Sequence, residues 1–450
     1  MHQQSPCRVS LLAISLNPDP SSALAAGVRE VDSTLASFSL PVDEFVVIGT
    51  SHHRAPFDVR ERIALPEARA RLLELGRTHA GMKEACQIVT CNRVECWGLA
   101  PAHVDGSIAR RLAGALSMDS GALHVLSGEQ AYLHAIRVAS GLDSAVWGEP
   151  QIIGQVQAAS RSSPDAGGSP HIHSAIRKIV RAAQGVRKRA GLGSDSRGAP
   201  EAAADFLERR VGGRSGRVLV VGAGSVGRRA AACAARFAAV TVADRNLDKA
   251  RRASAFAQGR ALPLAEGLAG LPGFDAAIVA LSSPGPLVSE MHLRGAGHPP
   301  RAAILLLDLS FPRAVAPSIR AIPGVSLLNV DDLAEEEARS GAPPSSALAE
   351  RAAREGAQAL YREQRARRAD AVVAQLRSRG EAIRRDELEG ARRRLSGDPE
   401  ADAAVLEKLA ERLVNRLLHD PTQGLRAAWA REDADAVERA ARRLFRLEGP

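Results

Sequence analysis

The sequence predicts an α/β protein in three parts: a small α/β unit, a doubly wound parallel sheet and an all-helical tail. Three observations carry this reading. Short apolar runs alternate with helical patterns from Asp43 to a Gly- and Ser-rich stretch at Gly191 to Pro200. A second series of apolar runs, again separated by helical patterns, starts at Val218, and strands alternating with helices build parallel sheets. From Ser346 onward the strand pattern disappears.

Each element follows from its local pattern. Residues 1–42 are polar and small and are expected to be a disordered extension. Phe45-Val46-Val47-Ile48, stopped by Gly49, reads as a buried strand. Pro66 to His79 has helical spacing at Ala68, Leu72, Leu73 and Leu75. Ile88-Val89 leads into Cys91-Asn92-Arg93, and Val94 to Leu99 is another strand. Ser127 to Gly141 is a helix with Tyr132, Leu133, Ile136 and Val138 on its apolar side. Arg161 to Pro170, rich in Ser, Gly and Pro, is a loop. The helix after it carries Ile176, Ile179, Val180, Ala183 and Val186 on one face.

A short helix, Glu201 to Arg210, opens the second unit. Val218-Leu219-Val220-Val221 is apolar throughout, as a strand covered on both faces must be. Val240 to Ala243, Ala276 to Leu281, Ala303 to Leu309 and Val325 to Val330 are the further strands. After Pro343-Pro344 two long helices are expected, one from Ala347 to about Leu395, the other carrying Leu406, Leu409, Leu413 and Leu417. Narrow apolar stripes amid heavy charge are the pattern of helices that bury a stripe against a second chain.

Composition sets outer bounds. The chain's 450 residues suffice for two to four domains. Aromatic residues make up only 3%, so its cores must rest on Ala, Val, Leu and Ile. Sixty basic residues face 51 acidic ones, a net charge of +9, and nearly all the basic ones are Arg. That balance suits a nucleic-acid partner and suits an Arg- and Ala-rich compositional bias equally well. No apolar run reaches the roughly 18 residues of a membrane span. Leu11 to Leu16 lacks a basic leader and a clear cleavage site, so no secretory signal is expected. The cysteines are Cys7, Cys86, Cys91, Cys96 and Cys233, an odd set in a large chain, which argues against a disulfide framework. Cys86, Cys91 and Cys96 lie five apart, not in a C-x-x-C spacing, and neighbours five apart on extended chain face opposite ways, so no metal site is expected.

Three motifs carry chemistry. Gly222-Ala223-Gly224-Ser225-Val226-Gly227 follows a buried strand and opens a helix, Arg228 to Phe237. In that frame glycines permit a tight turn and close approach of backbone to a pyrophosphate, the mark of a Rossmann-type dinucleotide-binding domain. Asp244, 22 residues after Gly222, suits the ribose 2′-hydroxyl of NAD, whereas Arg245 beside it suits the 2′-phosphate of NADP, and residue chemistry alone leaves the two open. Thr90-Cys91-Asn92-Arg93 puts a thiol at a strand end beside an arginine, surroundings that favour the nucleophilic thiolate. A lone cysteine is more often a small core residue, and Cys86 and Cys233 read that way. Gly148-Glu149-Pro150-Gln151, running on to Gln155, reads either as a capped helix entry or as the wall of a polar pocket. A thiol with a dinucleotide fits reduction of a thioester or oxidation of an aldehyde.

From about Phe45 to Leu447 the chain resembles the glutamyl-tRNA reductase family. The matching stretches, in the family's order, begin with Gly49-Thr50-Ser51-His52-His53, Ala55-Pro56, Val59-Arg60-Glu61-Arg62 and Thr90-Cys91-Asn92-Arg93-Val94-Glu95. Ala139-Ser140-Gly141-Leu142-Asp143-Ser144 and the run from Gly148 to Val156 follow. Then come the glycine loop, Asp308-Leu309-Ser310 with Pro312-Arg313, Val330-Asp331-Asp332-Leu333, and Leu417-Leu418-His419-Asp420-Pro421-Thr422. The resemblance implies an N-terminal catalytic domain that binds glutamyl-tRNA (43–195), an NADPH-binding domain (196–342) and a helical dimerisation domain (343–450). It implies Cys91 as the nucleophile that forms a glutamyl thioester, His134 as important for activity, and Thr90, Asn92, Arg93, Ser144, Glu149, Pro150, Gln151 and Gln155 as substrate contacts. Arg93 suits the glutamate carboxylate, since guanidinium binds carboxylate bidentately. Gly222, Ala223, Gly224, Ser225, Val226, Gly227 and Arg245 are then the NADPH contacts. The product is glutamate-1-semialdehyde, the first step of the C5 route to 5-aminolevulinate and tetrapyrroles. A cytoplasmic V-shaped homodimer is implied, with glutamate-1-semialdehyde aminomutase as a channelling partner.

The chain departs from the family at Arg54, where threonine is usual, at Ala190-Gly191 after Val186-Arg187-Lys188-Arg189, and at Asp244, where asparagine is usual; residues 1–42 have no counterpart. A rival reading is a homologue that binds tRNA or a protein without turnover, and retention of Cys91, Arg93, His134 and the glycine loop argues against it. An aldehyde dehydrogenase running oxidatively leaves the first-domain motifs and the helical tail unexplained. Arg177, Lys178, Arg181, Arg187, Lys188 and Arg189 form a basic segment that fits tRNA phosphates or a solvated helix face.

Overall fold

The structure, a computed structural model, describes residues 43–101, 106–161, 170–193, 197–211, 216–293, 303–339, 346–428 and 434–445. The expected extension 1–42, the interior of the loop between Arg161 and Pro170 and the Pro343-Pro344 junction lie outside the described residues. The chain divides into two compact units, the first ending at Tyr361 and the second starting at Arg362.

The first unit opens with β1 (Glu44–Ser51), α1 (Phe57–Ala64) and α2 (Pro66–Ala80). β2 (Glu84–Thr90), β3 (Arg93–Ala100), α3 (Gly106–Ala115), β4 (His124–Ser127), α4 (Gly128–Ser140), α5 (Gln151–Arg161) and α6 (Pro170–Arg189) follow. The strands pair antiparallel in the order β2-β3-β1-β4. One face packs Phe45, Val47 and Trp97 against α4, α5 and α6, and the other packs Val46, Ile48 and Cys96 against α1, α2 and α3. Helices on both faces explain why every residue of β3 is buried. Cys86 and Cys96 fall into cores on opposite faces of the sheet because they lie on different strands of the β2–β3 hairpin, where Cys86 pairs with Trp97 and Gln87 with Cys96.

Local chemistry fixes the joints next to the site. Pro66 sits in the first turn of α2, where its missing N–H costs nothing. Gly141 ends α4 in the left-handed region, φ +81°, and a Cβ there would lie 2.8 Å from the backbone N and O of Glu149. Glycine at 141 therefore lets the Gly148-Glu149 loop lie directly on the end of α4.

The parallel part contains α7 (Ala199–Val211), β5 (Gly216–Val221), α8 (Ser225–Ala234), β6 (Ala238–Asp244), α9 (Leu247–Phe256) and β7 (Arg260–Pro263). It continues with α10 (Leu264–Ala269), β8 (Ala276–Val279), β9 (Ile304–Asp308), β10 (Val325–Asn329) and α11 (Val330–Ala338). The strand order is β10-β9-β8-β5-β6-β7, all parallel. This is the doubly wound Rossmann order, with the switch point between β5 and β8 beside the glycine turn. Five of the six strands match the expected runs. β7 was not expected, because Arg260-Ala261-Leu262-Pro263 is a four-residue edge strand without alternation.

α12 (Ser346–Arg392) begins in the first unit, where Ala349, Ala352, Ala353 and Ala357 are buried among α4 and α6 residues. Small side chains let this helix approach closely, which is why the compact division falls inside α12 and not at the proline pair. In the second unit the rest of α12 accompanies α13 (Pro399–Ala428) and α14 (Ala434–Phe445). Arg416 pairs with Glu387 at 3.0 Å, linking α12 and α13. Val373, Leu376, Leu406, Val414, Leu417 and Leu418 are exposed. α14 was not expected from the sequence.

Candidate active site

The site is built on the β2–β3 hairpin. Thr90 pairs with Arg93, so Cys91 and Asn92 form a two-residue turn. Both carbonyls and the Asn92 N–H of this turn have a holder. Arg60 NH1 donates to the Cys91 carbonyl, His52 N donates to the Asn92 carbonyl at 2.8 Å, and Asn92 N donates to Thr90 Oγ1 at 3.2 Å. Cys91 is partly exposed and packs, with Ala145 and Ala199, against the buried core of the parallel-sheet domain. Packing by surrounding protein pushes its thiol up to about 12, Glu149 adds to this, and the charges of Arg60 and Arg93 pull the other way without prevailing. Burial, with Glu149 and Asp331, thus outweighs the arginines and raises the thiol where the sequence pattern alone was expected to favour the thiolate.

Behind the turn lies a buried ionic network. Arg93 NH1 meets Glu95 Oε1 at 3.2 Å and Asp143 Oδ2 at 2.9 Å, while NH2 donates to the Asp143 carbonyl. Glu95 is fully buried. Its Oε2 accepts from Trp97 Nε1 at 2.8 Å, and its Oε1 bonds His134 Nε2 at 2.9 Å. His124 Nε2 stands 3.4 Å from the same oxygen. Burial alone would raise the Glu95 carboxyl, but His134, Arg93 and the hydrogen bonds from both histidines hold it well below the usual range. Asp143 is held down similarly: burial opposes, and the His53 hydrogen bond and the Arg93 charge outweigh it. Arg93 therefore has its two terminal nitrogens engaged by protein, leaving Nε. Thr50 Oγ1, His52 Nδ1, Asn92 Oδ1 and Arg93 Nε are buried without a hydrogen-bond partner among the described residues. Buried polar atoms of native proteins are rarely left unpaired, so a cluster of them points to a polar ligand. Burial, with the charges of His53 and Arg93, brings His52 down to about 4, so its ring is neutral at physiological pH.

The second wall is the loop from Ser144 to Pro150. Arg187 of α6 is buried and donates to four carbonyls: Ser140 at 3.0 Å, Gly148 at 2.9 Å, Glu149 at 3.3 Å and Gly193 at 2.9 Å. Arg187 is thus a clamp for this loop and not a phosphate contact, which corrects the sequence reading at that position. Arg189 pairs with Glu355 at 2.7 Å, whereas Arg177 and Arg181 are exposed along a groove between α5 and α6. Burial pushes the Glu149 carboxyl up to about 7; Arg229 lowers it, Glu201 raises it and Arg93 lowers it. Gln151 Nε2 is buried and has no hydrogen-bond partner among the described residues, and Gln155 is exposed on α5. Thr90 to Arg93 and Glu149 come together, His134 joins them through Glu95, and Ser144 lies in the loop after α4 without a side-chain bond linking it to this set.

The glycine turn has the shape a pyrophosphate requires. Gly222 has φ +107°, and a Cβ on it would lie 2.3 Å from the Ala280 carbonyl. At Gly227 a Cβ would lie 1.9 Å from the Gly222 carbonyl. Gly224, capping α8, faces open space, so its backbone is approachable from outside. Asp244 accepts from Ala223 N and from Asn246 N, each at 2.8 Å, and so ties the turn to the end of β6. Arg245 next to it is exposed. These residues fit a dinucleotide.

Sequence reasoning gave no role to Arg60, Glu95, His124, Asp143 or Asp331. A signal existed for Glu95, a charge amid Val94, Cys96 and Trp97 in an apolar strand, since a buried charge must be paired.

A doubly wound sheet with a phosphate-binding turn, beside a thiol set among unpartnered polar atoms, defines an oxidoreductase that works with a nicotinamide dinucleotide. Family models match along the chain. "Glutamyl-tRNAGlu reductase, N-terminal domain" covers residues 48–190, "Shikimate / quinate 5-dehydrogenase" covers 206–336, and "Glutamyl-tRNAGlu reductase, dimerisation domain" covers 348–447. A glutamyl-tRNA reductase of Myxococcus xanthus is 34% identical over 424 residues, covering 90% of this chain and 94% of the relative. One of Stenotrophomonas maltophilia is 35% identical over 414 residues, covering 89% and 94%. A solved glutamyl-tRNA reductase from Methanopyrus kandleri is 27% identical, covers 90% of this chain and 99% of its own, and superposes with a TM-score of 0.45. The chain belongs to the glutamyl-tRNA reductase family.

Proposed function

We propose that this protein reduces glutamyl-tRNA(Glu) to glutamate-1-semialdehyde and releases the tRNA, the first step of the C5 route to 5-aminolevulinate and tetrapyrroles. The observation that supports this most is Cys91 itself: a thiol on a turn held through both carbonyls, packed against the core of the dinucleotide domain. Cys91 Sγ loses its proton and attacks the ester carbonyl carbon. The S–C bond forms, the C–O bond to the terminal ribose breaks, and the ribose oxygen takes a proton. His134, with Nε2–H held by the Glu95 carboxylate, keeps Nδ1 for these proton transfers. Asn92 Oδ1 and Arg93 Nε meet the ammonium and carboxylate of the glutamyl group, with Thr90, Ser144, Glu149, Pro150, Gln151 and Gln155 as its further contacts. A nicotinamide dinucleotide, NADPH in this reading, would when bound supply a hydride to the thioester carbonyl carbon, the C–S bond breaking and Cys91 Sγ taking back a proton. The turn from Gly222 to Gly227 would hold its pyrophosphate through backbone N–H groups, and Arg245 its 2′-phosphate. Asp244, a carboxylate beside that position, would narrow the preference over NADH.

The division of labour is catalytic over 43–195, NADPH-binding over 196–342 and dimerising over 343–450. The exposed Leu406 and Leu417, with the half-buried Leu409 and Leu413, are the stripe for the second copy in a homodimer. Among the described residues no helix is long and apolar enough to cross a membrane. We place the enzyme in the cytoplasm, with the aminomutase that uses glutamate-1-semialdehyde as its channelling partner. The test is NADPH consumption with glutamyl-tRNA: wild type consumes cofactor and Cys91→Ser does not. Equal consumption by both would end the proposal.

A further inference from the structure

Arg60 is fully buried, and its guanidinium touches three different segments. Nε donates to the Ala55 carbonyl at 3.2 Å, NH1 donates to the Cys91 carbonyl, and NH2 meets both carboxylate oxygens of Asp331 at 2.5 Å. Asp331 stands in the first turn of α11, where Asn329 Oδ1 holds its backbone N–H at 2.8 Å, so its position belongs to the parallel-sheet domain. The neighbouring residues of α1 repeat the connection. Glu61 accepts from Arg313 N and Arg313 Nε, both at 2.6 Å, and Phe57 packs edge-on against Phe311. α1 is therefore one of the pieces of the first domain that grip the second, and among these α1 contacts Arg60's reaches the nucleophile turn.

We propose that Arg60 is a positioning residue that ties the Cys91 turn to the dinucleotide domain through Asp331, so that the aim of the thiol is set where that domain docks. The contact is to the Cys91 carbonyl and not to its sulphur, and the carboxylate of Asp331 lies against the same guanidinium. An arginine placed to stabilise a thiolate would not carry a carboxylate on its far edge; one placed to fix a direction needs both ends held. A planar fork satisfies three directions at once, which the single ammonium of lysine cannot do.

The inference rests on Cys91 as nucleophile, and it is tested first without substrate. Alkylation of Cys91 by iodoacetamide at fixed pH, followed by mass of the peptide, should be about fivefold faster in Arg60→Lys than in wild type, because the turn is released. A rate within twofold of wild type would overturn the proposal. Asp331→Asn leaves Arg60 on the turn but loosens its tie to the second domain. Reduction with NADPH should fall by about tenfold, since small misplacements at a reacting centre have effects of this size or larger, while cleavage of the glutamyl ester without cofactor stays within about threefold. Equal falls in both half-reactions, or no fall in either, would refute the coupling; this variant also decides the matter if Arg60→Lys does not fold. Alkylation needs neither tRNA nor dinucleotide. A wild type inactive on glutamyl-tRNA would sink the proposed reaction and still leave the alkylation rates to decide the role of Arg60.

Discussion

The glycine turn and the thiol site are two binding regions made by opposite means. The turn from Gly222 to Gly227 depends on atoms that are missing: a Cβ at Gly227 would sit 1.9 Å from a carbonyl oxygen, while the backbone at Gly224 lies open. The region behind Cys91 depends on charged atoms that are present and answer one another, with Arg93 between Glu95 and Asp143 and two histidines on Glu95. The difference teaches where each is fragile. The turn breaks when a methyl group is added, and the network breaks when a charge is removed.

The largest effect should come from the network. Glu95→Ala leaves the buried Arg93 guanidinium short of a partner and should destabilise the protein by about 3–5 kcal/mol, read from urea unfolding. A loss under about 1 kcal/mol would mean that the network contributes packing only. On the other side of the comparison, Gly227→Ala should lower stability by about 1–3 kcal/mol through the clash with Gly222, whereas Gly224→Ala, facing open space, should change it by no more than about 1 kcal/mol. Similar losses at both positions would contradict the packing account.

A smaller effect sharpens the view of Glu149. Its carboxyl lies near 7 in the folded chain, above its ordinary value of 4.5, so the fold prefers it protonated. Its contribution to stability is complete below about 4.5 and is lost as pH rises through about 7. Glu149→Gln should therefore gain on wild type by about 2 kcal/mol between pH 5 and pH 8 in thermal unfolding. A pH-independent difference would show that Glu149 ionises as it does in water.

The smallest effect separates a solvated arginine from a structural one. Removing Arg177 and Arg181 together should lower the salt slope of tRNA binding by roughly 1.4–1.8 without changing stability. Arg187→Met should do the reverse, lowering stability with the slope intact, because its four partners are carbonyls of the protein. A slope that falls only in Arg187→Met would reassign the docking face.

Both regions left different traces in the sequence. The turn was legible residue by residue, because its geometry demands glycine at Gly222 and Gly227 and puts strand and helix on either side. Apolar runs likewise marked β5, β6, β8, β9 and β10, but four-residue β7 carried too little pattern to see. Cys91 stood out beside Arg93, yet its protonation did not follow from neighbours in sequence. It follows from burial first and then from Glu149, 58 residues on, neither of which a linear reading supplies. Arg187 looked like one more charge in Arg187-Lys188-Arg189, and only the folded loop around Gly148 reveals it as a clamp. Arg60 and Asp331 are 271 positions apart, and nothing in either local stretch announces the other.

The central claim is a covalent glutamyl thioester on Cys91, and it can be read directly. Wild-type protein incubated with labelled glutamyl-tRNA, without NADPH, should retain label after denaturation, and hydroxylamine should release it. Cys91→Ala should retain none. Label kept by Cys91→Ala at the wild-type level would contradict the account.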